Sequence, residues 1–317
     1  MTSGVSILIA TCNRFDVLRQ TLADLAAQSR PADEIIVVDQ SRDANGQPLD
    51  QSDGLKDFPH LRYFHQTIQN AQVARNRAIL EAKHPVLIMV DDDMRLPASF
   101  IEAHLQNYKD PEVDAVAGQV LKPGGKPTDR LPKEFSWIPD GWMLFPLNFS
   151  ERRATINWPS CNASIRRDAA IAAGGFDEQF TRTWFDDTDF SWRLKQVGVR
   201  VVFDPKASAV HLKITGGGNR PGGVDALIVA DANYWATILY FWRKNFGLLS
   251  VRRHFTEYLK RILCRKAFLL KPWAFLLALR ELFAGYYLAT RKLRQGPILP
   301  WIPQPYVRNK TADSCVS

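Results

Sequence analysis

The sequence predicts an α/β fold: a Rossmann-like, mostly parallel sheet with helices on both faces, followed by a C-terminal helical extension. Three observations predict it. Short apolar runs at residues 5–10, 34–39 and 86–90 read as strands buried on both faces. Helical periodicities separate them, as in βαβ units. From about residue 226 the chain turns into long aromatic and basic helical stretches.

The first strand leads into an amphipathic helix with Leu18, Leu22, Leu25 and Ala26 on one face. The second strand ends on Asp39, and a third follows at 61–65. A helix is expected over 69–82. The fourth strand runs directly into Asp91, Asp92 and Asp93, and a helix over 97–108 carries Pro97 in its first turn. Residues 122–159 hold six prolines with Trp137, Trp142 and Trp158. That stretch has too many large apolar groups for a linker and reads as a long functional loop region. Helices over 168–173 and 187–197 stop at Gly174-Gly175 and Gly198. Strands at 200–203 and 208–211 are expected to flank a turn at Pro205. Gly216–Gly218 and Gly222-Gly223 mark a flexible segment, and 226–246 and 251–294 read as helical.

Charge divides the chain. Residues 236–317 carry 15 Lys/Arg against 3 Asp/Glu, a net of +12, whereas residues 1–235 carry 26 against 30, a net of −4. An acidic body with a basic tail predicts a tail that touches an anionic surface. Its aliphatic and aromatic clusters favour lipid over nucleic acid. Residues 267–290 approach the hydropathy of a membrane span, but Lys271, Pro272, Arg280 and Glu281 interrupt it, so an interfacial helix fits better. The expected division is 1–225 for the catalytic unit and 226–317 for the extension. The N-terminus opens on an apolar strand without a basic leader, which predicts a cytoplasmic protein, peripheral on the inner face of the cell membrane. The Asn-x-Ser/Thr triplets at Asn148, Asn162 and Asn309 are accordingly read as chance. Cys12, Cys161, Cys264 and Cys315 form no Cys-x-x-Cys pair, which argues against a disulfide framework or a structural zinc site.

The chemistry concentrates in three places. Asp91–Asp93 stand at a strand end, where carboxylates that repel one another are reconciled by a divalent cation, Mg²⁺ or Mn²⁺. The bland alternative is an acidic turn that caps the next helix. Asp186, Asp187 and Asp189 stand where a helix begins, suited both to capping and to a general base. Arg193 is spaced to pair with Asp189 or Asp186. His211 ends a strand just before the glycine-rich segment, a position open to a further metal ligand.

These motifs, together with Val5–Arg14 (VSILIATCNR), Asn70–Asn76 (NAQVARN), Asn162–Arg167 (NASIRR) and Gly174–Glu178 (GGFDE), resemble inverting glycosyltransferases of family 2 across about residues 5–215. The resemblance implies the glycosyltransferase A-type fold. It implies transfer of a sugar from a nucleotide diphosphate sugar, UDP- or dTDP-linked, to the hydroxyl of a saccharide or lipid-linked acceptor in cell-surface polysaccharide or glycolipid synthesis. It implies that Thr11 and Asp39 contact the nucleoside, that Arg75 supports the base or phosphates, and that Asp91 contacts the ribose. Asp93 binds the metal with His211, the register leaving Asp92 as the alternative. Asp187 is the catalytic base, with Asp186 beside it at the acceptor. The chain has Ala10, Ala71 and Asp186 where the family often has proline, glycine and glutamate, and the last leaves the division of roles between Asp186 and Asp187 open.

Three rival readings fit the sequence less well. A nicotinamide oxidoreductase needs Gly-x-Gly-x-x-Gly at the first turn, and residues 10–15 contain no glycine. A sugar nucleotidyltransferase wants a glycine-rich phosphate loop at the same turn. A non-catalytic nucleotide-sugar-binding membrane scaffold would have no need of Asp187 together with Asp91–Asp93 and His211.

Overall fold

The computed structural model describes residues 4–131, 145–181, 185–214, 231–263 and 272–308. The glycine-rich segment, the 225/226 boundary, Trp137, Trp142, Asn309, Cys264 and Cys315 lie outside the described residues.

Strand β1 (Val5–Thr11) is flanked in parallel by β2 (Glu34–Asp39) and β4 (Val86–Asp91), and β2 carries β3 (Leu61–His65) in parallel. Beyond β4 the sheet becomes mixed. β8 (Asn162–Arg166) runs antiparallel to both β4 and β6 (Ala115–Leu121). β9 (Val201–His211) is parallel to β6, while β5 (Met94–Arg95) and β7 (Arg153–Thr155) pair antiparallel with β9. The order is β3-β2-β1-β4-β8-β6-β9-β5, with β7 also on β9. Chain order reverses at β1, and such a switch point opens a crevice at the carboxyl ends of the strands. Thr11 and Asp91 sit there, with Ala10 in register with Asp91.

Alternation along the strands serves two apolar layers. Leu8, Ile36, Val38, Leu87 and Met89 pack against α2 (Ala71–Glu81), α4 (Arg167–Ala172) and α5 (Asp186–Gln196). Ile7, Ile9, Ile35, Val37 and Ile88 pack against α1 (Phe15–Ala26) and α3 (Phe100–Gln106). Leu18, Leu22 and Leu25 of α1 are buried, and truncating one of them to alanine costs about 2–5 kcal/mol.

Local chemistry moves some boundaries from their expected places. α2 begins at Ala71 because the Asn70 side chain accepts the Gln72 N–H at 2.9 Å as an N-cap. Residues 97–99 form a turn, Phe100 N–H to Pro97 O at 3.0 Å, so α3 starts at Phe100. The two strands expected around Pro205 are one, β9, whose pairing with β6 jumps from Gly118–Asp204 to Gln119–Ser208. Gly118 permits this bulge, since a Cβ there would lie 2.4 Å from Ala207 O. Within 122–159, Phe145, Phe149 and Trp158 are core residues, which accounts for that segment's apolar content.

The C-terminal helices pack onto the body that carries the sheet. α6 (Ala232–Leu263) breaks its helical geometry at Gly247 (φ 73°, ψ −179°), and α7 (Pro272–Gln295) packs alongside it. Trp235, Ile238, Phe241 and Trp242 of α6 are fully buried in a cluster with Phe180 and Phe185. Lys244 Nζ lies 2.7 Å from Asp177 and 2.8 Å from Asp189, both fully buried carboxylates. The chain then returns across the body: Gln304 and Tyr306 N–H bond Ala172 O and Val197 O, each at 2.9 Å, and Arg308 pairs with buried Asp114 at 2.6 Å. Gly175 (φ 71°) lies under this strap, where a Cβ would sit 2.8 Å from the Trp301 ring.

Candidate active site

A cavity of about 550 Å³ opens at the switch point, lined by Thr11, Arg75, Asp91, Asp92, Asp93, Asp186, Asp187 and His211. Eight of the nine residues expected in the site therefore share one cleft. Asp39 does not line it. Its Oδ1 accepts from Ser41 Oγ at 2.5 Å and Ser41 N–H at 2.8 Å, and its Oδ2 accepts from Tyr63 OH at 2.8 Å. The next residue, Gln40, does face the cavity.

The acidic triplet divides its work by direction. Asp92 Oδ2 accepts from Thr11 Oγ1 at 2.7 Å, and Oδ1 accepts from Arg14 at 3.1 Å. Burial pushes its carboxyl up to about 6, with Arg14 and Thr11 acting against that. Asp93 turns toward β9: Oδ1 lies 3.0 Å from His211 Nε2, and Oδ2 accepts the Ile214 N–H at 3.0 Å. Burial acts to raise this carboxyl, but His211, the Ile214 N–H and Arg14 together hold it below the usual carboxylate range. Asp91 is the most open of the three, 3.9 Å from His211 Nε2 and 3.6 Å from Arg75.

At the start of α5, Asp186 accepts from Arg75 at 2.7 Å. Burial pushes the Asp186 carboxyl up, and the guanidinium opposes it. Asp187 Oδ2 accepts the Ser160 N–H at 3.1 Å. Burial, reinforced by Asp186, pushes the Asp187 carboxyl up to about 7. Phe185 precedes them at φ 64°, a left-handed conformation unusual for a bulky residue and of the kind that gathers at functional sites. Asp189 faces away from the cleft and is held by Arg193 at 3.0 Å and by Lys244 and Asn245 of α6.

Buried polar atoms seldom lack a partner, and those that do need an explanation, a catalytic role or a bound water or ion among them. Gln40 Oε1, Asp93 Oδ1, Ser160 Oγ and Asp187 Oδ1 are buried without a hydrogen-bond partner among the described residues, and all four residues line this cleft. The 3.0 Å approach of Asp93 Oδ1 to His211 Nε2 is unaligned as a hydrogen bond. It matches the spacing of adjacent ligands on an octahedral cation, about 3 Å for bonds of about 2.1 Å. Asp91, Asp93 and His211 thus have the donor set of a hard or borderline dication.

Some residues of the cleft escape reading from sequence. Arg14, Gln40, Ser160, Cys161, Lys122, Lys126 and Lys213 all line it. Arg14 ends the Val5–Arg14 motif, and Ser160 and Cys161 directly precede Asn162–Arg167, so position in or beside a motif is their signal. Lys122 and Lys126 carry none, because the turn after β6 is held at the cleft through long-range pairing with residues 147–150, and Lys213 reaches it only because β9 ends there on His211. His104 is likewise unmarked. It bridges Ser164 and Asn162 at 3.0 Å each, and burial lowers its pKa to about 4, so it supports β8 as a neutral ring.

The glycosyl transferase family 2 model matches residues 6–172. A pre-mycofactocin glycosyltransferase of Mycobacterium tuberculosis is 26% identical over 211 residues, covering 65% of this chain and 42% of the relative. A type 2 glycosyltransferase of Gibberella zeae is 29% identical over 153 residues, 48% of this chain and 27% of the relative. The chain thus spans less than half the length of either. Among solved structures, S. aureus TarS 1–349 superposes with a TM-score of 0.58 at 14% identity, over 89% of this chain and 80% of that one. GalNAc-T7 with UDP, GalNAc and Mn²⁺ gives 0.56 at 16% identity, over 82% and 54%. With that agreement in fold, and a family match across more than half its length, the chain belongs to glycosyl transferase family 2 and has the glycosyltransferase A-type fold.

Proposed function

We propose that this protein is an inverting, divalent-metal-dependent glycosyltransferase that moves a sugar from a nucleotide diphosphate sugar to an acceptor hydroxyl. One observation carries the reading: a buried carboxylate oxygen of Asp187, without a hydrogen-bond partner among the described residues, belongs to the same cleft as the Asp91, Asp93 and His211 donor set. An acceptor hydroxyl needs a base as its oxygen attacks the anomeric carbon, and a base that titrates near the working pH serves best. Asp187, raised to about 7, has that property, and the Ser160 N–H fixes its other oxygen. The proton goes to Asp187 while the bond to the diphosphate breaks on the opposite side of the sugar, which inverts the anomeric centre. Asp186 remains tied to Arg75 and is assigned the positioning of acceptor and base.

Asp93 and His211, with Asp91 beside them, would hold Mg²⁺ or Mn²⁺, which when bound neutralises charge on the departing diphosphate. The engagement of Asp92 by Thr11 and Arg14 supports Asp93 as the metal ligand of the triplet. The solved relative holding UDP and Mn²⁺ supports the same donor class, and we assign UDP or dTDP. Thr11, Gln40 and Arg75 are assigned to the donor, with Asp91 on the ribose. Asp39 is assigned to the nucleoside as well: its Oδ2 accepts from Tyr63 OH and, as a carboxylate oxygen, can accept a second hydrogen bond.

We further assign α7 to an anionic membrane surface, which suits a lipid-linked acceptor and a role in cell-surface polysaccharide or glycolipid synthesis. Trp273, Leu276, Phe283 and Tyr287 are 62–71% exposed and share one helical face with Arg280. No helix among the described residues is long and apolar enough to cross a membrane. Proton NMR of the linkage formed from an α-linked donor tests the central reading. A β-linked product, made only with Mg²⁺ or Mn²⁺ present, is expected. A retained configuration would overturn it.

A further inference from the structure

Cys161 takes no part in the transfer described above, yet the fold places it among the strand ends that form the cleft. Antiparallel pairing sets Val90 of β4 opposite Asn162 of β8, so Cys161 stands across from Asp91, whose N–H bonds Cys161 O at 3.3 Å. β9 ends on His211 beside them, and Cys161 is a free thiol. One ligand atom from each of Asp91, Cys161 and His211 lies within 4.8 Å of the other two. A thiol, an imidazole and a carboxylate form a donor set that zinc takes tetrahedrally, its ligands then spaced about 3.5 Å apart. Side-chain rotation would bring the three ligand atoms to that spacing, and a water would take the fourth position.

The chemistry separates two cations. Mg²⁺ and Mn²⁺ prefer oxygen donors, and a thiolate selects zinc over both. His211 Nε2 faces Asp93 at 3.0 Å and Asp91 at 3.9 Å, and one ring nitrogen binds one cation. We infer that Asp91, Cys161 and His211 form a zinc site that inhibits the enzyme by capturing His211 from the activating cation. Zn²⁺ displaces the thiol proton, which leaves to solvent, and no electron is transferred. The mutual exclusion rests on the proposed role of His211. The site itself does not.

Cobalt(II), which takes the same tetrahedral donors, gives a readout independent of turnover. The metal-free full-length protein titrated with Co²⁺ is expected to develop a thiolate-to-cobalt charge-transfer band in the near ultraviolet. Zn²⁺ should abolish that band. Cys161→Ser and Cys161→Ala should lack it, and Cys12→Ser should keep it. In parallel, Zn²⁺ should inhibit Mn²⁺-supported transfer competitively with Mn²⁺. Cys161→Ser should weaken that inhibition about tenfold or more while Mn²⁺-supported turnover stays within about twofold. Absence of the band in the wild type, or equal zinc inhibition of wild type and both Cys161 variants, overturns the inference. If Mn²⁺ supports no transfer at all, the proposed function fails, and the cobalt spectrum still decides the site.

Discussion

Arg75 Nη1 donates to Asp186 Oδ2 at 2.7 Å while its Nη2 lies 3.6 Å from Asp91 Oδ1, so one buried guanidinium joins the acidic end of β4 to the acidic start of α5. Arg75 and Asp186 are both below 10% exposed, and removing one partner strands the other's charge. Arg75→Met is expected to destabilise the protein by about 3–5 kcal/mol in chemical denaturation. Adding Asp186→Asn should recover much of that loss, because the stranded carboxylate is then gone. Fully additive losses would show that the two side chains do not act as a pair.

The raised Asp187 carboxyl sets the pH dependence. Below about 7 the base is increasingly protonated, so kcat/KM is expected to fall toward tenfold per pH unit on the acid side. The effect on stability has the opposite sense. The folded state holds this proton up to about 7, whereas the unfolded chain releases it near 3.9, so ionisation of Asp187 weakens the fold progressively between those values. Asp187→Asn should therefore raise Tm at pH 8 and change it little at pH 3.5. Thermal melts at the two pH values check the sign.

Asp93 and His211 are expected to matter for binding as well as rate. Asp93→Asn and His211→Ala should each weaken Mn²⁺ affinity by about tenfold or more, measured by calorimetry, and weaken donor binding with it. Chelation of the wild type should reproduce the loss, and added Mg²⁺ or Mn²⁺ should reverse it. Unchanged Mn²⁺ affinity in both variants would move the metal elsewhere.

The exposed face of α7 should dock to anionic vesicles. Phe283→Asp with Tyr287→Asp is expected to abolish co-sedimentation at low salt while leaving Tm within a few degrees, since both residues are 64–71% exposed. Wild-type binding should weaken as salt rises, because exposed charges are screened. Salt-independent binding, or binding unaffected by the double substitution, would assign that face to another partner.

Much of this molecule is legible in its sequence. The parallel half of the sheet is, because β1, β2 and β4 are continuous apolar runs that end in Thr11, Asp39 and Asp91. The mixed half is not. β8 is short, β6 is interrupted by Gly118 and Gln119, and their antiparallel pairing depends on contacts such as Ala117–Ala163, far apart in the chain. The carboxylates of the cleft are visible through residue type and position at strand and helix ends. The partners of Asp39 are not visible in this way, since only the fold brings Tyr63 to its Oδ2. The basic tail is visible as charge, but its return over Gly175 and its Arg308–Asp114 pair are not, because nothing local encodes them.

The most direct measurement is the rate and donor affinity of Asp187→Asn. Asparagine keeps the shape and can still accept from the Ser160 N–H, but it cannot take a proton from the acceptor. With saturating acceptor and Mn²⁺, kcat should fall by on the order of 10²–10⁴. The donor dissociation constant should stay within about twofold, because only the transition state needs the base. A normal kcat, or a loss confined to donor binding, would contradict the assignment of Asp187 as the base.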